Sequence, residues 1–310
     1  MNVFRFLRFC GSASYWSELS DSKLQATEGA KQVERRDEKL LLSFQVITDT
    51  HIVADMEHEH NRNLDRALKD IAMNAPQSSG IMHAGDVTDN GEQVEYEAFR
   101  QIWDSNKAGL PPLFVTSGNH DICDDWERCI PLFMSQTGMT GMYHDHWIDG
   151  YHFIFLGTEE GIGLYCTLSN EQLSWLDAKL GEDAAPDKPV FVFLHQPLKD
   201  TVAGSLEAQN WYGVTQDEEL KAVLAKHPQA IMFTGHTHWE LDAPHTYFDG
   251  GGTLPAMFNA ASVAYLWTDE DEHKDGSQGF YVEVYADRVL VRGRDFERGE
   301  WVEGAQFEVR

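Results

Sequence analysis

The chain contains few basic residues for its length. Its 310 residues include 24 Lys and Arg against 51 Asp and Glu, which gives a formal net charge of −27. Such a chain repels polyanions and lacks the cations that would neutralise a nucleic-acid backbone. Long DNA or RNA is therefore excluded as an expected substrate, and most of the carboxylates are expected to form a solvated acidic surface.

Cysteines and long apolar runs are also scarce. The four cysteines form no C-x-x-C pair, so we expect neither a structural zinc site nor a disulfide framework, and instead free thiols in a reducing compartment. No run approaches the roughly 18 apolar residues of a membrane span. Arg5 and Arg8 interrupt the apolar N-terminus, and no signal-peptide core follows. The sequence thus predicts a cytoplasmic protein without a membrane partner, and it leaves the oligomeric state open.

Apolar content is ample for a large core, at 42% hydrophobic residues with 17 Phe. Residues 1–40 carry no motif and are predicted to be an extension, either a docking helix or a flexible arm. Over residues 41–310, short apolar runs alternate with amphipathic stretches, which predicts a single α/β domain. The predicted strands are Leu41–Ile47, Gly80–His83, Leu113–Thr116, Tyr151–Leu156, Pro189–Leu194, Ala230–Phe233, Tyr281–Tyr285 and Val289–Val291.

Predicted helices lie between these strands, and two of them begin with capping-box sequences, Ser169-x-x-Gln172 and Thr215-x-x-Glu218. The apolar positions that mark the four helices are Leu64, Leu68 and Ile71; Val94, Phe99, Ile102 and Trp103; Leu173, Leu176 and Leu180; and Leu220, Val223 and Leu224.

Five short polar motifs occur in a fixed order along the chain, most of them at or just beyond the end of a predicted strand. Loops that leave strand ends converge at one edge of an open α/β sheet. Together the motifs offer two carboxylates, four imidazoles and an amide for two adjacent divalent cations, with one histidine to spare. They are Asp49-Thr50-His51, Gly85-Asp86-x-x-Asp89, Gly118-Asn119-His120-Asp121, Leu194-His195-Gln196-Pro197 and Gly235-His236-Thr237-His238.

Such a set suits hydrolysis of a phosphate ester. Two neighbouring cations can share a bridging hydroxide as the nucleophile and can neutralise the phosphoryl oxygens. Asp86 is the expected bridging carboxylate, and Asp49 and His51, two residues apart, are expected to share one metal. Because all donors are N or O atoms, Mn, Fe or Zn would suit the site.

His120 is the spare imidazole. It is expected to act as general acid towards the ester oxygen or to hydrogen-bond the phosphoryl group, with Asp89 or Asp121 orienting it. Asn119, beside it, is expected to be both a metal ligand and a substrate contact.

Other polar and aromatic residues near the motifs receive structural interpretations. His58 and His60 are predicted to lie in a solvated loop, and His83 to be a hydrogen-bonded core residue. Trp211 and Trp239 are expected mainly to pack, with Trp239 the stronger candidate for a substrate contact because it follows His238 directly.

The order D-x-H, G-D-x-x-D, G-N-H-D, H, G-H-x-H resembles that of the calcineurin-like metallophosphoesterases. The resemblance implies a four-layer α-β-β-α sandwich of two mixed sheets. It implies His120 as the catalytic histidine, with Asp89 as its orienting partner. It also implies two metal ligand sets that share Asp86: Asp49, His51, Asp86 and His238 for the first ion, and Asp86, Asn119, His195 and His236 for the second.

Details within that superfamily favour the bacterial phosphodiesterases. Asp121 follows the G-N-H sequence, as is common in enzymes acting on cyclic nucleotides or glycerophosphodiesters, whereas protein phosphatases carry Glu there. Asp89 stands where the purple acid phosphatases have a metal-binding tyrosine, so a charge-transfer iron site is not expected.

The sequence therefore predicts hydrolysis of a small phosphodiester by a dinuclear metal centre. A phosphomonoesterase acting on a small metabolite or a phosphoprotein is the alternative. A nuclease is disfavoured by the charge, and a non-catalytic scaffold by the intact ligand set.

Overall fold

Two six-stranded mixed sheets form the centre of the fold in this computed structural model, which describes residues 39–123, 125–160, 163–183, 185 and 188–310. Glu38–Arg310 form one compact unit. The predicted extension over residues 1–40 falls almost wholly outside the described residues, so the domain boundary stays a prediction.

The described residues contain fourteen strands and six α-helices. The strands are β1 Leu42–Ile47, β2 Ile81–His83, β3 Leu113–Val115, β4 His144–Ile148, β5 Tyr151–Phe155, β6 Val190–Phe193, β7 Ala230–Thr234, β8 Tyr247–Phe248, β9 Ala256–Asn259, β10 Leu266–Trp267, β11 His273–Lys274, β12 Gln278–Val284, β13 Val289–Asp295 and β14 Glu300–Val309. The helices are α1 Glu59–Asn74, α2 Gln93–Asn106, α3 Asn119–Ile122, α4 Trp126–Thr137, α5 Asn170–Leu180 and α6 Asp217–Leu224.

Each large sheet joins a parallel part to antiparallel strands. The first has the order β14-β13-β12-β1-β2-β3, and β1, β2 and β3 run parallel. The second has the order β4-β5-β6-β7-β9-β8, and β5, β6, β7 and β9 run parallel. A short third sheet pairs β10 with β11. The loops that leave the carboxyl ends of these seven parallel strands lie at the edge of each sheet where a ligand crevice is expected.

The two large sheets pack face to face through phenylalanine side chains. Phe191 and Phe193 of β6 point into this inner core, whereas Val190 and Val192 point outwards towards α5 and α6. This two-residue alternation produces one face for each layer. On the first sheet, α1 and α2 cover the outer face around Ile47 and Ile81. The predicted α/β four-layer sandwich of two mixed sheets is therefore confirmed.

The predicted strands and helices differ from the observed ones only at their ends, by a few residues. All eight predicted strands and all four predicted helices occur. Ser169 caps α5 as predicted, since its side chain accepts a hydrogen bond from the backbone N–H of Gln172. The capping box at Thr215 is wrong, because α6 begins after Gln216, which makes no side-chain cap.

The expectation that all thiols are free is also wrong. Cys123 and Cys129 form a disulfide between the end of α3 and the first turns of α4, and Cys166 is free and buried. Because disulfides are rare in reducing compartments, this bond removes one basis of the predicted cytoplasmic location. No helix of the described residues is long and apolar enough to cross a membrane.

Phe44 lies at the centre of the inner core, and its ring contacts those of Phe153, Phe191, Phe193 and Phe233 in the opposite sheet. Phe44→Ala would leave a cavity between the sheets and should lower the free energy of unfolding by about 3–5 kcal/mol. Urea unfolding of the metal-free protein measures this loss. Met73→Ala, at a side chain 81% exposed, is the control and should cost about 0.5 kcal/mol or less. Equal losses in the two variants would contradict the assignment of Phe44 to the core.

Candidate metal centre

The five motifs meet at the carboxyl edges of both large sheets. Asp49 and Asp86 follow β1 and β2, whereas His195 and His236 follow β6 and β7 of the other sheet. Hydrogen bonds join the two edges. The backbone N–H of His236 donates to Asp49 Oδ2 at 3.0 Å, and His195 Nδ1 lies 2.9 Å from the carbonyl oxygen of Ala84. The site is therefore built across the gap between the sheets.

A first cluster consists of Asp49, His51 and His238, all buried. His238 Nε2 lies 2.9 Å from Asp49 Oδ1 and 3.1 Å from His51 Nε2, and the remaining distance, His51 Nε2 to Asp49 Oδ1, is 3.7 Å. Ligands about 2.1 Å from one shared ion would have similar spacings. The cluster thus has the dimensions of a metal site.

A second buried cluster consists of Asp86, His195 and His236. Asp86 Oδ2 lies 3.0 Å from His195 Nε2 and 3.8 Å from His51 Nε2 of the first cluster. Asp86 Oδ1 accepts the backbone N–H of His120 at 2.9 Å, which fixes the carboxylate. A single oxygen of Asp86 therefore lies between the two clusters, as a bridging ligand requires.

Oxygen acceptors fix the rings of three of these histidines through the nitrogen that does not face the cluster, one of them a carboxylate and two of them backbone carbonyls. Nδ1 of His51 lies 3.2 Å from Asp89 Oδ1, and Nδ1 of His238 lies 3.2 Å from the carbonyl oxygen of Tyr265. His195 has the corresponding contact to Ala84. When each Nδ1–H donates to its oxygen acceptor, each Nε2 can offer its lone pair to the cluster, as in histidines that bind metals.

His195 Nε2 provides a test of whether a cation fits. This buried atom has no hydrogen-bond partner among the described residues, although Asp86 Oδ2 lies 3.0 Å away. Leaving a buried polar atom unpaired costs free energy. A cation shared with Asp86 would satisfy it, and the N and O donors suit Mn, Fe or Zn.

The charges within the clusters compensate one another. Burial disfavours the charged form of Asp49, but the charges of His238 and His195 outweigh it and hold the pKa of Asp49 well below its usual range. Burial also opposes protonation of His51, whereas its contacts with the carboxylates of Asp49 and Asp89 raise its pKa to about 10. Contact with the carboxylates of Asp86 and Asp49 likewise raises the pKa of His195 to about 9 against the effect of burial, so imidazolium charge on His51 and His195 balances the buried carboxylates, and metal binding would release those protons.

The predicted partnership of Asp89 and His120 takes a different form from the one expected. His120 Nδ1 lies 2.6 Å from the backbone carbonyl oxygen of Asp89, whereas the Asp89 carboxylate contacts His51. The rings of His120 and His51 are 4.6 Å apart and nearly perpendicular. The backbone of Asp89 therefore holds His120 against the first cluster.

Asn119 is the remaining predicted ligand. Its Oδ1 accepts a hydrogen bond from Gln196 Nε2 at 3.3 Å, which links the third motif to the fourth. Both of its neighbours approach Asp86: His120 through its N–H and Gly118 through its Cα. Asn119 is thus held beside the second cluster.

Asp121 does not orient His120, although that was one expectation. Its buried carboxylate accepts hydrogen bonds from the backbone N–H groups of Val87, Thr88 and Gly118, at 3.0 to 3.1 Å. Burial, together with the charge of Asp86, raises the pKa of Asp121 to about 6. Asp121 therefore ties the second and third motifs together.

Two motif glycines are needed because the backbone there touches a carboxylate. A Cβ at Gly118 would overlap Asp86 Oδ1, and a Cβ at Gly235 would overlap Asp49 Oδ2 and Thr48 Oγ1. Several ligands themselves adopt positive φ angles, which is uncommon for residues other than glycine. These are Asp49, His51, Asp86, His236 and His238, with φ between 41° and 70°.

Three other residues near the motifs, His83, His60 and Trp239, were also interpreted from the sequence. His83 is a buried, hydrogen-bonded core residue as predicted, with Nε2 3.0 Å from Thr50 Oγ1. His60 is not in a solvated loop, because it is half-buried in α1 with Nδ1 3.0 Å from the carbonyl oxygen of His51. Trp239 is fully buried and its ring contacts that of Trp211, as the expected packing role requires, and a substrate contact by Trp239 stays a prediction.

Sequence reasoning missed Tyr265, whose ring lies 4.4 Å from that of His238 and 5.8 Å from that of His51. It belongs to none of the five motifs, and the only available signal was an aromatic residue just before a short strand.

Comparisons with known proteins agree with this geometry. The family model described as calcineurin-like phosphoesterase matches residues 42–240, which contain all five motifs. A protein of Arcobacter nitrofigilis named as a probable glycerophosphodiester phosphodiesterase is 26% identical over 202 residues, covering 62% of this chain and 70% of that protein. A protein of Synechococcus sp. named as a probable cyclic nucleotide phosphodiesterase is 26% identical over 245 residues, covering 77% and 90%.

Among solved structures, a dimetal phosphatase from Danio rerio has a similar fold. It aligns with a TM-score of 0.62 at 15% identity, covering 87% of this chain and 99% of that chain. At such low identity the likeness supports the fold alone.

Gly118→Ala should lower the metal content of the protein, because the added Cβ would displace the shared carboxylate of Asp86. We expect the variant to retain less manganese than the wild-type protein after loading and dialysis, as measured by elemental analysis. Gly181→Ala is a matched control, since its Cβ would meet no atom nearer than 3.6 Å. Equal manganese content in Gly118→Ala and the wild-type protein would contradict the proposed position of the ions.

Proposed function

Because this chain belongs to the calcineurin-like phosphoesterase family, we propose that it hydrolyses small phosphodiesters with the help of two divalent cations. The observation that carries this proposal is the pair of buried clusters that share one oxygen of Asp86. Asp49, His51, Asp86 and His238 would hold one cation, and Asp86, Asn119, His195 and His236 would hold the other. When bound, such cations make water a better nucleophile and neutralise phosphoryl oxygens.

The protein itself supplies the remaining steps. His120 would donate a proton from Nε2 to the departing ester oxygen, since its Nδ1 is engaged by the carbonyl oxygen of Asp89. The Asp89 carboxylate would keep the His51 ring in the orientation that a ligand needs. Asn119, which precedes His120 in the chain, is the second proposed contact to the phosphoryl group, beside His120 itself.

The charge around the site favours a diester over a monoester. Among the described residues, the ion-pair partners of Asp49, Asp86 and Asp89 are all histidines. A monoester brings more negative charge than a diester and would gain from a nearby Arg or Lys. The names of both relatives are those of phosphodiesterases, which supports the same choice at 26% identity.

The proposal also covers the substrate class, the cellular location and the scaffold alternative. The natural substrate would be a small ester of the cyclic-nucleotide or glycerophosphodiester type, and the net charge of −27 disfavours a nucleic-acid polymer. A cytoplasmic location remains a prediction, with weaker support because of the Cys123–Cys129 disulfide. A scaffold role is disfavoured because none of the expected ligands is missing.

Metal removal tests the proposal directly. Chelator treatment followed by dialysis should abolish hydrolysis of bis-p-nitrophenyl phosphate, and Mn²⁺ should restore it. On the manganese-loaded protein, the kcat/KM for this diester should exceed that for p-nitrophenyl phosphate. Cyclic AMP, cyclic GMP and glycerophosphocholine then identify the substrate type. A higher kcat/KM for the monoester would favour the phosphomonoesterase alternative, and metal-independent turnover would overturn the mechanism.

His120→Ala tests the proton donor. Without the imidazole, kcat for a diester with an alkoxide leaving group should fall by about 10²–10⁴-fold. The loss should be much smaller with p-nitrophenolate, a leaving group that needs little protonation. His227→Ala is the control, because His227 pairs with Asp177 away from the motifs. The same loss with both leaving groups would assign His120 to binding and would rule out proton transfer as its main role.

A further inference from the structure

The segment that follows β9 packs directly against the first cluster. Ser262 Oγ and the backbone N–H of Ala264 both donate to the carbonyl oxygen of Asp49, each at 3.0 Å, and the N–H of Val263 donates to that of Thr48 at 3.1 Å. These bonds fix the segment against the loop that carries two proposed ligands. The family match ends at residue 240, so the segment lies outside it.

Tyr265 is the last residue of this segment before β10, and its ring packs against the imidazoles of the first cluster. Its carbonyl oxygen contacts His238 Nδ1, and its ring contacts those of His238 and His51. Two more rings hold it in place, since His60 and His273 stack on it at centroid distances of 5.4 and 5.2 Å. The side chain is therefore held in one place beside the site and has little freedom to move away.

The hydroxyl of Tyr265 is available to a ligand. Within the described part of the chain it makes no hydrogen bond, although the ring is only partly exposed. A phenol whose ring lies against the imidazoles of His51 and His238 can donate a hydrogen bond to a ligand bound at the clusters.

A substrate bound there would need such a donor. The histidines of both clusters are proposed ligands, and no described Lys or Arg pairs with the site carboxylates. Charged phosphoryl oxygens bind best to donors that are already oriented. His120 can serve the leaving group, and a phosphoryl oxygen that the cations do not contact is left to Asn119 and to the phenol.

We propose that Tyr265 is a substrate-positioning residue whose hydroxyl donates a hydrogen bond to a phosphoryl oxygen of the ester at this site. The inference rests on the proposed function, and it adds a contact from outside the five motifs.

Tyr265→Phe tests the hydroxyl while it preserves the ring. The full-length protein is loaded with manganese, its metal content is measured, and inorganic phosphate is titrated into it by calorimetry. Loss of a hydrogen bond to a charged group should weaken phosphate binding about tenfold. The kcat/KM for bis-p-nitrophenyl phosphate should fall by a similar factor, and the manganese content should not change.

Tyr247→Phe is the matched control. Tyr247 is also half-buried, but it packs on Phe258 and Phe307 in β9 and β14. This variant should match the wild-type protein in phosphate affinity, metal content and kcat/KM.

Two results would overturn the inference. One is unchanged phosphate affinity and kcat/KM in Tyr265→Phe, and the other is loss of manganese from that variant, which would show a structural role for the hydroxyl. Failure of the proposed function is distinguishable from both. If the wild-type protein binds phosphate through Tyr265 but hydrolyses no diester, the proposed function fails and the contact stands.

Discussion

The buried carboxylates of Asp49 and Asp86 are the constraint on which the rest of the site depends. Burying a carboxylate is costly unless opposite charge or hydrogen-bond donors compensate it. Here the compensation comes from imidazoles of both sheets and from backbone N–H groups, because His195 and His238 approach from the second sheet. The two sheet edges must therefore meet closely. The phenylalanine core that joins the sheets and the glycines that allow close approach both serve this requirement.

The same constraint accounts for the unusual backbone of the ligands. Positive φ angles at five ligand residues store strain, and such strain persists only where the surrounding structure determines the conformation. The surroundings do so here. Thr48 Oγ1 and the N–H of His236 hold the Asp49 carboxylate, and Asp121 holds the loop after Asp86 through two backbone N–H groups. The rigid strands on both sides hold these residues in their strained backbone conformations, so the side chains of the candidate ligands keep fixed orientations.

The sequence predicts the structure best where local residue pattern alone determines the element or the candidate ligand. Short apolar runs predict the buried parallel strands, and polar motifs at their ends predict the ligands, because the carboxyl edge of a sheet collects them. It was least informative where structure depends on distant contacts. The strand β14 reads as a polar, charged stretch, and only its pairing with β13 makes it a strand. The disulfide, the carbonyl contact of Asp89 and the position of Tyr265 likewise depend on how loops approach one another, which spacing does not encode.

The part of the chain beyond the family match also helps to build the candidate metal centre. Strand β12 pairs antiparallel with β1, with Phe44 opposite Val282, and so it fixes the strand that ends at Asp49. The segment between β9 and β10 then hydrogen-bonds to Thr48 and Asp49 and holds His238 through the carbonyl oxygen of Tyr265. A fold ending at residue 240 would leave β1 with an unpaired edge and His238 without its acceptor. The five motifs set which atoms can hold cations, but their positions depend on these later strands. The ring of Tyr265, in the same segment, packs against the imidazoles of His238 and His51 in the first cluster.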